Sequence, residues 1–173
     1  MSQLKVDSIV PRGGLPSGSS GGVIQTKSTI KTDTSSFSVG AGGSSSSVVS
    51  VTITPQSASS KILIYATLSG SKSDQGMFLK LFRGSTQIGQ GDASGSCQRV
   101  STHLLTDQSF IMSSTTCVFL DSPSTSSSLT YSIRAGHGNP STQTIFINRD
   151  QGGNNGSQIG RGVTIITVQE VTA

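Results

Sequence analysis

Tryptophan is absent from this chain of 173 residues, aromatic residues make up only 5%, and charged residues only 12%. An ordinary soluble domain carries about 25% charge. The sequence pI of about 9.4 reflects a formal net charge of only +4. Its cations (Lys5, Arg12, Lys27, Lys31, Lys61, Lys72, Lys80, Arg83, Arg99, Arg134, Arg149 and Arg161) are scattered along the chain. Nucleic-acid binding by counterion release draws on several cations gathered on one face. With no basic run, no nucleic-acid partner is expected. The 8 acids (Asp7, Asp33, Asp74, Asp92, Asp107, Asp121, Asp150 and Glu170) stand far apart in sequence. Glycosidase chemistry needs two carboxylates facing across a bond, and nothing in the order of residues brings two together. With 35 serines, some serine must fall near His103 or His137, so proximity alone argues no catalytic triad. A non-enzymatic protein is the expectation.

Long apolar stretches are also missing. The opening MSQLKVDSIVPRGG lacks the apolar core of a signal peptide. No stretch approaches the roughly 18 apolar residues of a membrane span, so neither export nor membrane insertion is expected. Cysteine is limited to Cys97 and Cys117. In a reducing cytoplasm a structural disulfide between them is not expected. Cys117, inside Thr116-Cys117-Val118-Phe119-Leu120, reads as a small buried hydrophobe.

In place of charge stand 35 Ser and 19 Thr, with 21 Gly. These are poor helix residues, and Ala, Leu, Glu and Lys are scarce. Hydrophobic content of 32% and modest net charge argue against disorder. An all-β fold is left.

The chain divides at residue 22. Leu4-Lys5-Val6-Asp7-Ser8-Ile9-Val10 is strand-like, with Leu4 and Val6 on one face and Lys5 and Asp7 on the other. Pro11 stops it, and residues 12–22 have the Gly/Ser/Pro composition of a tether. A short apolar strand on a flexible tether cannot bury itself alone, so residues 1–22 are expected to act as an anchoring arm. Leu4, Val6, Ile9 and Val10 form its buried side.

Residues 23–173 read as strands punctuated by turns. They are expected at Val23–Ile30, Ser47–Thr54, Lys61–Ser69, Met77–Arg83, Ser109–Met112, Thr115–Leu120, Leu129–Arg134, Gln143–Arg149 and Gly162–Val171. Ile62, Ile64, Ala66 and Leu68 share one side of their strand; Met77, Leu79 and Leu81 oppose Phe78, Lys80 and Phe82; Thr164, Ile166, Val168 and Glu170 oppose Val163, Ile165, Thr167 and Gln169. Several strands are apolar on both faces, which places one face in the core and the other against a neighbour. Residues 39–44 and 55–60 read as connections, and 149–156 as a loop needing positive φ at several positions. With no helical pattern between strands, the expected fold is a two-sheet antiparallel jelly-roll sandwich.

Two loops carry side chains of metal-ligating type. His137, in Gly136-His137-Gly138-Asn139-Pro140, would make a three-imidazole site on a threefold axis, but the simpler expectation is an exposed loop histidine. Asp150, Asn154 and Asn155 form an oxygen-rich loop, yet the EF-hand spacing fails and a polar hairpin loop is expected. No metal or other cofactor is expected.

Two segments look familiar. Ser2-Gln3-Leu4-Lys5-Val6-Asp7-Ser8-Ile9-Val10-Pro11, followed by the tether, resembles the LKVD-x-I start of fibre-like virion proteins of tailed bacteriophages, notably those of marine cyanobacteria. Thr52-Ile53-Thr54-Pro55-Gln56-Ser57-Ala58-Ser59-Ser60-Lys61-Ile62-Leu63-Ile64 is similar to the TP-x-S-x-SSKILI signature in the globular part of such proteins. The ending, Ile145-Phe146-Ile147-Asn148-Arg149, a Gly/Asn loop, and Gly162–Val171, fits the same group.

The resemblance implies a C1q/TNF-like jelly roll and a homotrimer located in the virion. It implies partners among other virion proteins (tail, portal vertex or capsid) and attachment to a host cell-surface glycan or protein. A capsid decoration protein is the alternative, and a carbohydrate-binding module a more distant one. The chain departs from the group in brevity, since a receptor fibre usually has a longer shaft.

Overall fold

In the computed structural model the residues described are 22–72, 76–105, 111–153, 155–157 and 159–172. Leu4, Val6, Ile9 and Val10, expected to form the buried side of an anchoring arm, lie outside them. Eleven strands occur among the described residues: β1 Val23–Lys31, β2 Ser35–Val39, β3 Val49–Ile53, β4 Lys61–Ser71, β5 Met77–Arg83, β6 Thr86–Ile88, β7 Thr102–Leu104, β8 Ser113–Asp121, β9 Leu129–Gly136, β10 Gln143–Ile147 and β11 Thr164–Val171. They form two antiparallel sheets packed face to face, a sandwich of jelly-roll type. No helix occurs among the described residues.

The larger sheet is organised on β4, the longest strand. β8 runs along one edge of β4, while β11 and then β10 share the other. β1 lies outside β11 and β2 outside β10. The smaller sheet runs β3-β9-β5-β6, with β7 also on β5.

Alternation explains the core. Ile62, Ile64, Ala66 and Leu68 of β4 and Ile166 and Val168 of β11 face Met77, Leu79 and Leu81 of β5 and Tyr131, Ile133 and Ala135 of β9. All of these are fully buried. A β-strand presents every second side chain to one face, so the period-2 pattern alone sorts them. Cys117 and Phe119 of β8 are partly buried against the same core, and both Cys97 and Cys117 are free thiols.

Three strands depart from expectation. The apolar spacing does not predict β2, β6 or β7; Ser35-Ser36-Phe37-Ser38-Val39, Thr86-Gln87-Ile88 and Thr102-His103-Leu104 are short or hydroxyl-rich, and each pairs with a stronger neighbour. The strand expected at Ser109–Met112 is not seen where it is described: residues 111–112 are irregular and β8 begins at Ser113.

At the crossing where β10 gives way to β11, Asn148 carries φ 59° and is fully buried. Asparagine tolerates this left-handed region better than most residues. Its amide nitrogen donates to the carbonyls of Lys31 at 2.8 Å and Asp33 at 3.0 Å, where β1 gives way to β2. Its Oδ1 accepts from Thr164 Oγ1 at 2.8 Å. One side chain thus satisfies two interrupted ladders at once. Gly70, beside this crossing, has no room for a side chain: a Cβ would stand 2.3 Å from the Phe146 carbonyl oxygen. The loop at 149–156, expected to need positive φ at several positions, shows it at Gly153 alone among its described residues; Asn148, which precedes the loop, also has it.

At the opposite end of the sandwich Tyr131 donates to Asp121 at 2.7 Å, and Arg83 Nη1 donates to both Asp121 oxygens at 2.9 and 2.8 Å. This joins β9 and β5 of one sheet to β8 of the other. Burial, reinforced by the bond to Asp121, pushes the Tyr131 phenol far above its usual range. Gly22 and Thr172 pair there through Thr172 N to Gly22 O at 3.0 Å and Gly22 N to Thr172 Oγ1 at 3.1 Å. Residue 22, which joins the tether, therefore sits beside the end of β11.

Candidate interaction surface

The outer face of the larger sheet mixes exposed apolar side chains with hydroxyls and carries little charge. Registers across β8, β4, β11 and β1 place Leu120, Leu63, Gln169 and Thr26 in one row. Val118, Tyr65, Thr167 and Ser28 form the next, and Thr116, Thr67, Ile165 and Ile30 the third. No charged side chain occurs in these rows; Lys61, at the start of β4, flanks them. Val118 is 58% exposed, Ile30 57% and Leu120 48%. Exposed apolar side chains grouped in this way make the face a candidate interaction surface.

Its hydroxyls are already spoken for. Thr67 and Thr116 bond to each other at 2.9 Å, Ser28 and Thr167 at 2.8 Å, and Ser69 and Ser114 at 2.7 Å. Ser69 also donates to the Val163 carbonyl at 2.7 Å. Burying a hydroxyl is costly chiefly when it loses a water partner without gaining another. These cross-strand pairs keep their partners when water leaves, so the face can be covered at small polar cost. The strand β8 also exposes an unpaired edge among the described residues, without lysine or proline to blunt it.

The polar groups that stand out in the sequence are occupied by structural tasks. His137 is fully buried, not exposed as expected: Nε2–H donates to the Val39 carbonyl at 2.9 Å and Nδ1 accepts from Asn139 N at 3.1 Å. The partner carbonyl lies 98 residues away in sequence, so its burial has no local signal. Asp150 is buried and faces Arg161 Nη1 at 3.9 Å; Arg161 Nη2 also donates to Asn155 Oδ1 at 3.3 Å. A guanidinium thus stands against the oxygens of the loop that could have suited calcium; Asn154 lies outside the described residues. No group of three or more His, Cys, Asp or Glu suited to a metal ion occurs among the described residues. Asp92, by contrast, is exposed, and Asp107 lies outside the described residues.

The chain matches no protein-family model and no curated protein.

Glu170, on the inward side of β11, is fully buried. Burial alone would raise its carboxyl. Hydrogen bonds from Gln25, Ser60 and the backbone N–H groups of Gln56 and Ser57 outweigh that and hold it below the usual glutamate range. Its position opposite Gln169 is readable from alternation, but its partners on β1 and the 55–60 connection are not.

Proposed function

We propose that this chain is a non-enzymatic structural protein of a bacteriophage virion, a short trimeric fibre or knob carried on its N-terminal arm and serving host-surface attachment. The observation that carries the reading is the outer face of β8, β4, β11 and β1, where exposed apolar side chains stand among internally paired hydroxyls and no charge falls in the three central rows. A second copy of the same chain is the natural cover for such a face, since soluble oligomers are mostly symmetric assemblies of one chain. The resemblance of the opening segment and of the Thr52–Ile64 segment to phage fibre-like proteins supplies the threefold count and the virion setting. Gly22, the residue to which the arm is joined, lies next to the end of β11, at one end of the sandwich.

Light scattering on the full chain tests the assembly: a trimer is expected, and a Val118→Lys/Leu120→Lys double variant should be a folded monomer. A monomeric wild-type protein refutes the reading. Removing residues 1–21 should leave the trimer intact and abolish incorporation into particles; a shortened protein still incorporated refutes the anchoring arm. Labelling intact virions separates a tail fibre from capsid decoration.

A further inference from the structure

The chain has 4 asparagines, and their surroundings differ. A backbone amide can attack the side-chain carbonyl of the asparagine before it. The amide must be able to give up its proton, and its own side chain must not crowd the five-membered ring that forms. Asn139 is followed by Pro140, which has no N–H to give. Asn148 is fully buried, with its side-chain nitrogen held by two carbonyls. Asn154, outside the described residues, is followed by the side chain of Asn155. Asn155 is followed by Gly156, which brings no side chain at all.

The structure adds two features that this dipeptide alone does not carry. Asn155 and Gly156 are both exposed, a Cβ at Gly156 would meet nothing within 4 Å, and the Gly156 N–H makes no hydrogen bond among the described residues. Neither packing nor pairing among those residues restrains that amide. The second feature is Arg161. Its Nη2 donates to Asn155 Oδ1 at 3.3 Å, while Nη1 faces the buried carboxylate of Asp150 at 3.9 Å. Gly162 N donates to the Asn148 carbonyl at 3.2 Å and closes the base of the loop. The returning limb therefore carries the guanidinium to the amide. A cation donating to a carbonyl oxygen stabilises the oxyanion that forms on attack. The same charge favours loss of the Gly156 amide proton.

We infer that Asn155 is a self-modification site, converted to aspartate and isoaspartate by the Gly156 amide, with Arg161 as the activating residue. Hydroxide removes the Gly156 N–H proton, and that nitrogen forms a bond to Asn155 Cγ. The resulting oxyanion on Oδ1 collapses, and Nδ2 leaves as ammonia after taking a proton from water. Water then opens the succinimide. Cleavage of the new N–Cγ bond gives aspartate; cleavage of the original peptide bond gives isoaspartate, with the backbone routed through Cγ. Overall one water is consumed and one ammonia released, with no oxidation. The product carboxylate replaces a neutral amide against Arg161, so a cation is already in place to meet it. The site is independent of the face proposed for assembly and of the anchoring arm.

Full-length protein held at mildly alkaline pH, and sampled over time by intact mass and peptide mapping, tests this. Expected are a gain of one mass unit mapped to Asn155, both product isomers, and a rate that rises with hydroxide. Gly156→Val, at an open position, should keep the fold and lose the gain. Arg161→Gln should slow the folded chain about two- to fivefold, the range of a partly exposed charged contact. Should that variant fail to fold, Arg161→Lys keeps a cation for Asp150 and should still react more slowly than wild type, because a point charge lacks the fork that faces both oxygens. In urea at the same pH the effect of the Arg161 variant should vanish, and the folded wild-type chain should react at least as fast as the unfolded one. No gain at Asn155, an equal gain at another asparagine, a wild-type rate in Gly156→Val or in the folded Arg161 variant, or a folded chain slower than the unfolded one would each overturn the inference.

Discussion

Replacing Asn148 tests the logic of the fold at its most constrained point. In Asn148→Ala the carbonyls of Lys31 and Asp33 and the hydroxyl hydrogen of Thr164 lose the Asn148 side chain; the Asp33 carbonyl, at an exposed residue, turns to water, and the Thr164 oxygen still accepts from Ser69 N. Each buried group left unsatisfied costs about 1–3 kcal/mol. Alanine must also hold a left-handed backbone at φ 59°, which adds about 1–2 kcal/mol. Counting the Lys31 carbonyl and the Thr164 hydroxyl, the sum is roughly 3–8 kcal/mol, a large share of the whole stability of a typical domain, about 5–15 kcal/mol. Asn148→Gly suffers the same lost hydrogen bonds without the backbone strain, so it should be more stable than the alanine variant by about 1–2 kcal/mol. Asn148→Asp keeps the shape but turns two donors into acceptors facing carbonyls, and should be the worst of the three. Urea denaturation followed by circular dichroism ranks them. An alanine variant as stable as wild type, or a glycine variant no better than alanine, would show that the side chain does not hold the two crossings together.

Acid should weaken the fold partly through Glu170. Its folded-state pKa is lowered, so its stabilising contribution is complete above the ordinary glutamate range and is lost as pH falls through the lowered value. The stability gap between wild type and Glu170→Gln, read from urea midpoints, should therefore shrink from neutral pH towards about pH 3; a constant gap would contradict this. The two thiols should separate kinetically: exposed Cys97 reacts quickly with an aromatic disulfide reagent, while Cys117, half-buried and with its thiol pKa raised by burial, reacts slowly in the native state and quickly in denaturant.

What the amino-acid order reveals follows the range of each interaction. Alternation in β4, β5 and β11 is local, so it alone assigns the core residues Ile62, Ile64, Leu79, Ile166 and Val168 to their correct faces. The two-sided apolar character of β4 and β8 likewise reveals an outer face seeking cover. The hydroxyl pairs that make that face coverable are not legible, because Thr67 meets Thr116 and Ser28 meets Thr167 only once the register is set. The burial of His137 and Asn148 depends on carbonyls roughly a hundred residues away in sequence, and short edge strands such as β6 exist only because a partner strand recruits them. Alternation places Lys80 on the side opposite Leu79 and Leu81, but its burial depends on Gln98 reaching it from another segment.

The pairing of Gly22 with Thr172 fixes how the body would respond to pulling. The tether enters β1 at its first residue, and β1 lies antiparallel along β11 from Val23–Val171 to Lys31–Thr164. A force applied through the leader and resisted at the far end of the sandwich would act along the strand axis, so the bonds of that ladder would be strained in shear, side by side, rather than opened one after another. A load resisted at the same end would peel them in sequence, starting from the Gly22 clasp. The direction in which the far end is held would decide whether this body is mechanically firm or easily unravelled.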